Sequence, residues 1–452
     1  MTGFQSARLA GVLCGLAAFL PFLGRLGPVP GRVAAFALFT TAVAFHLGTR
    51  LVARWPSRHE RILLALAAVF AVLVIRAADP GQLAAIFDPM RALPVSRDYA
   101  QTKLIAFLIS YIPPVVILAL FLTLRPTWRA DWLSGAALAL AVIALFALLR
   151  LVPHADRLFS QDFMTARNFY MEVQKPFSTT SFSVLFGCVA VILAMSAIVV
   201  GSWYSVLFSI SAGAACFLIV LLNQRADTLA TVIAIGLCLF AARRMARPHK
   251  LVNVGAFVGC SFLALSALFA NAENRLYWNA LLNEAARSET LRTRVALALA
   301  FATSKPQAEP TVKGSPPEKR PALSEPQTEL TDKGSLPEKQ LVLPPWLVGR
   351  GIGTFADPVS MHSYPHNIII EAQYEIGLVG AVALLALLGF AWGLLWRGAM
   401  VGRDTAVVAL MGAGIVMTLH SMKAGDITQV GSIVLIIGVG VALAKPALEN
   451  RP

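Results

Sequence analysis

The chain has 452 residues, of which 57% are hydrophobic and only 14% charged, and its mean hydropathy is +0.69. A soluble domain carries about a quarter charged residues, so the composition excludes an ordinary soluble class and reads as an all-α polytopic membrane protein. The net charge of +14 does not mark a nucleic-acid binder: no basic patch with interleaved aromatics is present, and much of the excess lies in short loops between apolar runs.

A membrane span needs about 20 apolar residues. Twelve such stretches are expected, at roughly 7–23, 33–53, 61–77, 103–124, 131–150, 179–199, 203–222, 227–243, 251–271, 376–396, 404–421 and 427–445. The first has no convincing small-residue cleavage site and reads as a retained span rather than a signal peptide. Cys14, Cys188, Cys216, Cys238 and Cys260 all lie in apolar runs without metal-ligand spacing. They read as small buried residues, not as disulfide or zinc partners.

The chain divides into spans 1–9 over 1–271, a loop over 272–375, and spans 10–12 over 376–452. Short loops rich in basic residues follow the second, fourth, eighth and tenth spans: Arg50, Arg54, Arg58 and Arg61; Arg125 and Arg129; Arg243, Arg244, Arg247 and Lys250; Arg397 and Arg403. They share one side if both termini are cytoplasmic. The opposite short loops are poorer, with Arg25 and Arg32, then Arg225, then Lys423. The positive-inside rule therefore places the large loop outside the cytoplasm. Two further outer loops, 77–102 and 151–178, are long enough to cover a site but carry no recognisable motif.

The large loop has three parts. Residues 272–303 alternate polar and apolar positions and are expected to form an interfacial amphipathic helix. Within 305–340, Pro306 to Lys319 recurs as Pro326 to Lys339, rich in Pro, Lys, Glu and Ser. Such a composition buries too little apolar surface to order itself, so a disordered insert without catalytic role is expected. The motif region, 349–375, follows.

His366 leads the candidates for chemistry, because a neutral imidazole accepts a proton near physiological pH. Asn367 would cap the turn or orient a ligand. His362 lies four residues before His366, a spacing used by zinc sites. Pro365 disfavours a helix there and no Glu follows His362, so no metal is expected and His362 reads as a neighbour. Gly349, Gly351 and Gly353 permit sharp turns. They follow no strand, which excludes a dinucleotide-binding turn. Glu371 and Glu375 fall one helical turn apart, to pair with an arginine, orient His366 or mark the interface. Arg225, in Gln224-Arg225-Ala226-Asp227, is either a loop arginine paired with Asp227 or a bidentate phosphate clamp. Arg292 and Arg294 are either a solvated helix start behind Ser288 or a second phosphate-binding arginine.

Three pieces in order resemble the O-antigen ligase and polymerase superfamily: Gln224-Arg225-Ala226; Arg294 before an Ala/Leu-rich helix; and Gly351-Ile352-Gly353-Thr354-Phe355 with His366-Asn367 and Glu375-Ile376-Gly377-Leu378-Val379-Gly380. The plan of about twelve transmembrane helices with one large outer loop is also similar. The first motif is usually Ser-Arg-Gly, and the aromatic that often follows the second arginine is absent here. The resemblance implies a GT-C-type helical fold in the bacterial inner membrane, with the active site facing the periplasm. It implies transfer of a glycan from an undecaprenyl-pyrophosphate carrier, and the chemistry expected of these residues is direct displacement with inversion, without metal or cofactor. His366 would serve as the essential histidine, with Arg225 and Arg294, or Arg292, on the pyrophosphate. Asn367, His362, Gly351, Gly353 and Glu375 would support them.

Within that superfamily the acceptor separates a ligase, which uses the lipid A-core, from a polymerase and from a protein O-oligosaccharyltransferase. The compact His-Asn block entering Glu-x-Gly-x-x-Gly is most like the ligase branch. An anionic-lipid transporter or flippase is the reading from another class. It should show repeated halves with broken helices, and the only internal repeat is the polar insert.

Overall fold

The computed structural model describes residues 3–19, 30–49, 51, 54–77, 94–154, 179–200, 202–221, 225–243, 245, 248–268, 345–349, 351–352, 367–402, 404–423 and 427–449. All regular structure among them is helical. In chain order the long helices are α1 (Gly3–Phe19), α2 (Pro30–Gly48), α3 (Arg58–Arg76), α4 (Pro94–Thr123), α5 (Pro126–Leu151), α6 (Thr179–Val199), α7 (Ser202–Leu221), α8 (Arg225–Ala242), α9 (Pro248–Leu268), α10 (Ile368–Val401), α11 (Thr405–Lys423) and α12 (Val430–Glu449). Every expected apolar stretch carries a helix. Six described helices are long and apolar enough to cross a membrane: the apolar parts of α4, α5, α6, α10, α11 and α12. The chain is a helical membrane protein. The amphipathic helix expected over 272–303 and the repeat at 305–340 lie outside the described residues.

Two helices start earlier than their apolar runs do. α4 begins at Pro94 rather than 103, and α10 at Ile368 rather than 376. Their first turns are polar, which reads as loop. In the fold Glu371 and Glu375 of α10 are buried in ion pairs with Lys103 of α4, so helical geometry continues through the start of α10.

α11 and α12 sit at the centre. α11 packs on α6 and α8; α12 packs on α4 and α10; α3 leans on α10. α1 and α5 approach closely, because Gly11 lies against the Trp132 carbonyl and Gly135 against that of Arg8. Small residues at such crossings let backbones meet in a membrane. Phe70, Phe107 and Tyr111 fill the α3–α4 contact, and the Tyr111 hydroxyl donates to the Ala67 carbonyl at 2.8 Å.

The bundle has two chemically distinct ends. At one, Arg54 donates to the Leu122 carbonyl at 3.1 Å and to Glu60 at 2.7 Å. Arg129 donates to Glu60 at 3.3 Å and to the Ala442 carbonyl at 2.6 Å. Glu60 closes a capping box with Ser57 ahead of the apolar part of α3. Burial alone would raise its carboxyl; the Ser57 N–H, Arg54 and Arg129 hold it below its ordinary value. Lys250 caps the end of α6, donating to the Ile198 carbonyl at 3.1 Å. The opposite end holds the starts of α4, α8 and α10 and the end of α11.

Candidate functional site

α10 starts with a built cap. Asn367 has extended backbone, and its Oδ1 accepts from the N–H groups of Ile369 and Ile370 at 3.0 and 3.2 Å. This satisfies two of the donors a helix start leaves open. Its Nδ2 donates to the Met422 carbonyl at 3.1 Å, which ties the start of α10 to the end of α11. Of the two roles expected for Asn367, capping is the one observed.

Two residues past Glu375 the helix breaks. Gly377 has φ +82°, with the Leu347 carbonyl and the Gly349 N–H pressed against it. Only glycine holds that backbone without strain, and only its missing Cβ leaves room for the approach. The one-turn helix Pro345–Val348 and the glycine turn dock here. The Gly351 N–H donates to the Glu375 carbonyl at 2.9 Å, and the Ile352 N–H to the Ala77 carbonyl at 3.2 Å. The Gly-x-Gly and Glu-x-Gly-x-x-Gly pieces, separate in sequence, are thus one backbone unit.

Glu371 and Glu375 face the same way from successive turns and are fully buried. Lys103 of α4 is a cation for both. Its Nζ contacts Glu371 and lies 2.5 Å from Glu375. Glu371 also accepts the Ile427 N–H at 2.8 Å, from the turn leading into α12. Charges taken out of water need such pairing, and within a membrane bundle they face inward. The cluster joins α4, α10 and the α11–α12 connection.

A second buried cluster lies at the same end. Asp227, in the first turn of α8, accepts from the Ser183 hydroxyl of α6 through Oδ2. Its Oδ1 lies 2.8 Å from Nδ1 of His420, near the end of α11. The Thr231 hydroxyl donates to the Asp227 carbonyl at 2.7 Å. Asp227 is fully buried and His420 is 5% exposed. A carboxylate in the first turn is favoured by the helix dipole.

Among the expected site residues, Gly351, Asn367 and Glu375 are described: Gly351 bonds to Glu375 beside the Gly377 break, and Asn367 caps the start of α10. Arg225 is the first residue of α8, with its side chain outside the described residues. Arg292, Arg294, Gly353, His362 and His366 also lie outside them. No family model matches the chain, and no curated protein does. The placement of the motif therefore rests on chain neighbours. Asp227 stands two residues after Arg225 and holds His420; Asn367 directly follows His366 and holds Met422. Both motif arms reach one three-residue stretch at the end of α11.

Lys103, Ser183 and His420 are site residues that sequence reasoning did not single out. A signal was present for two of them: Lys103 and His420 are ionisable residues inside expected spans, which is costly without a role.

Proposed function

We propose that the chain is a glycan transferase of the O-antigen ligase kind. It would move a glycan from undecaprenyl pyrophosphate to a lipid A-core hydroxyl at the periplasmic face of the bacterial inner membrane. One observation carries this reading: the described parts of the first and third pieces of the resemblance converge at one end of the bundle, Arg294 lying outside the described residues. The starts of α8 and α10 meet the end of α11, and the glycine turn docks on the α10 break. That end is opposite the Arg54–Glu60–Arg129 cluster, in keeping with a site away from the basic cytoplasmic loops. Twelve crossings in a GT-C-type arrangement complete the proposal.

In this mechanism the acceptor oxygen attacks the anomeric carbon as the bond to the carrier pyrophosphate breaks, inverting the centre. Arg225 and Arg294, or Arg292, stabilise the charge left on the pyrophosphate. His366 takes the hydroxyl proton. A polymerase or protein oligosaccharyltransferase would share the donor chemistry and differ in acceptor. A transporter would move its lipid unchanged.

Lipopolysaccharide profiling in a ligase-null Gram-negative host with matching donor and core tests the proposal. The wild type is expected to restore a ladder, and His366→Ala at equal membrane expression to abolish it. A ladder that survives the substitution removes His366 from the chemistry. A wild type that restores nothing there, but does so in a polymerase-null host, moves the acceptor assignment to the polymerase.

A further inference from the structure

The end of the bundle that carries the start of α10 holds an imidazole, His420, whose setting is that of a base. We propose that His420, held by Asp227, is a second proton acceptor in the transfer; this rests on the transferase reading above. In the pairing we propose, Asp227 is ionised and only accepts, so His420 donates from Nδ1 to the Asp227 oxygen 2.8 Å away. The neutral ring then carries its lone pair on Nε2. Ser183 donates to the other Asp227 oxygen and the Thr231 hydroxyl to the Asp227 carbonyl, so carboxylate and backbone are both held. Packing alone gives no reason for this arrangement, since apolar residues join helices in a membrane without the cost of burying an ionisable pair.

The pair also lies beside the motif. Arg225 is two residues before Asp227. Met422, two residues after His420, accepts from Asn367, the neighbour of His366. In the transfer, the acceptor oxygen bonds to the anomeric carbon. The bond from that carbon to the pyrophosphate oxygen breaks, and its electron pair leaves with the pyrophosphate. The proton taken from the acceptor hydroxyl ends on Nε2 of His420, where Asp227 balances the imidazolium charge. It leaves to water before the next turnover.

His420→Asn separates this role from a structural tie. Asn keeps an N–H donor for Asp227 but cannot take up a proton. The full-length chain, purified in nanodiscs, would be assayed with an undecaprenyl-pyrophosphate glycan and a lipid A-core acceptor. The expected result is normal folding and donor KM, with kcat lowered by about 10²-fold or more. Nitrogen NMR of histidine-labelled wild type, with the His420 signal assigned by the variant, should show Nδ1 protonated and Nε2 bare. Asp227→Asn should disturb that signal. Wild-type kcat in His420→Asn overturns the proposal and leaves the transferase reading standing. A neutral ring protonated on Nε2 overturns it even if the variant fails to fold. A wild type that forms no covalent product overturns both.

Discussion

Lys103 holds two carboxylates of a distant helix, the farther, Glu375, 272 positions away in the chain, and its removal has a definite sign. Lys103→Met leaves Glu371 and Glu375 in a buried setting without their shared cation. Breaking a buried pair from one side costs about 3–5 kcal/mol. Thermal unfolding in detergent should show a clear fall in midpoint. The triple change Lys103→Met, Glu371→Gln, Glu375→Gln should recover much of it, because the uncompensated charges go too. If Lys103→Met melts like the wild type, the lysine is not what neutralises the cluster. His420 and Asp227, 193 positions apart, pose the same problem for a reader of sequence. Each residue is visible as an oddity in or beside an apolar run, but the partner is set by which helices pack together, and local spacing does not encode that.

At the scale of elements, α10 is two helical pieces joined at Gly377. Gly377→Ala would put a Cβ against the Leu347 carbonyl and force a backbone region that side chains avoid, at about 1–3 kcal/mol. The glycine turn is expected to undock. Limited proteolysis should then cut near Gly349–Gly351 faster than in the wild type, with the rest of the bundle intact. Unchanged cleavage would mean that the turn does not depend on the break. Helix positions were legible in the sequence because apolar runs of span length leave few alternatives. Helix starts were less so: the polar start of α10 looks like loop until the buried partners of Glu371 and Glu375 are known. The glycine turn was legible as a turn, but its docking on the Gly377 break was not, since that contact joins two segments with Gly353, His362 and His366 between them.

For the whole molecule, the two ends make orientation testable. If the basic end is cytoplasmic, alkaline phosphatase fused after Ala272 should be active in a Gram-negative host, and a fusion after Arg247 inactive. The reverse pattern would turn the Lys103 and Asp227 clusters toward the cytoplasm and remove the periplasmic site. The break at Gly377 also separates two settings. Before it, Ile368, Glu371, Ala372 and Glu375 are buried in protein; immediately after it, Leu378, Val379, Val382 and Leu385 are 40–55% exposed along one side. Trp346 is 57% exposed in the one-turn helix docked on the break, the ring type that favours the lipid–water boundary. From Leu378 to Val401 the helix runs about 36 Å, enough for a hydrocarbon core of about 30 Å. Gly377 therefore divides α10 into a first part whose carboxylates are enclosed by protein and a second, of span length, with one exposed apolar side.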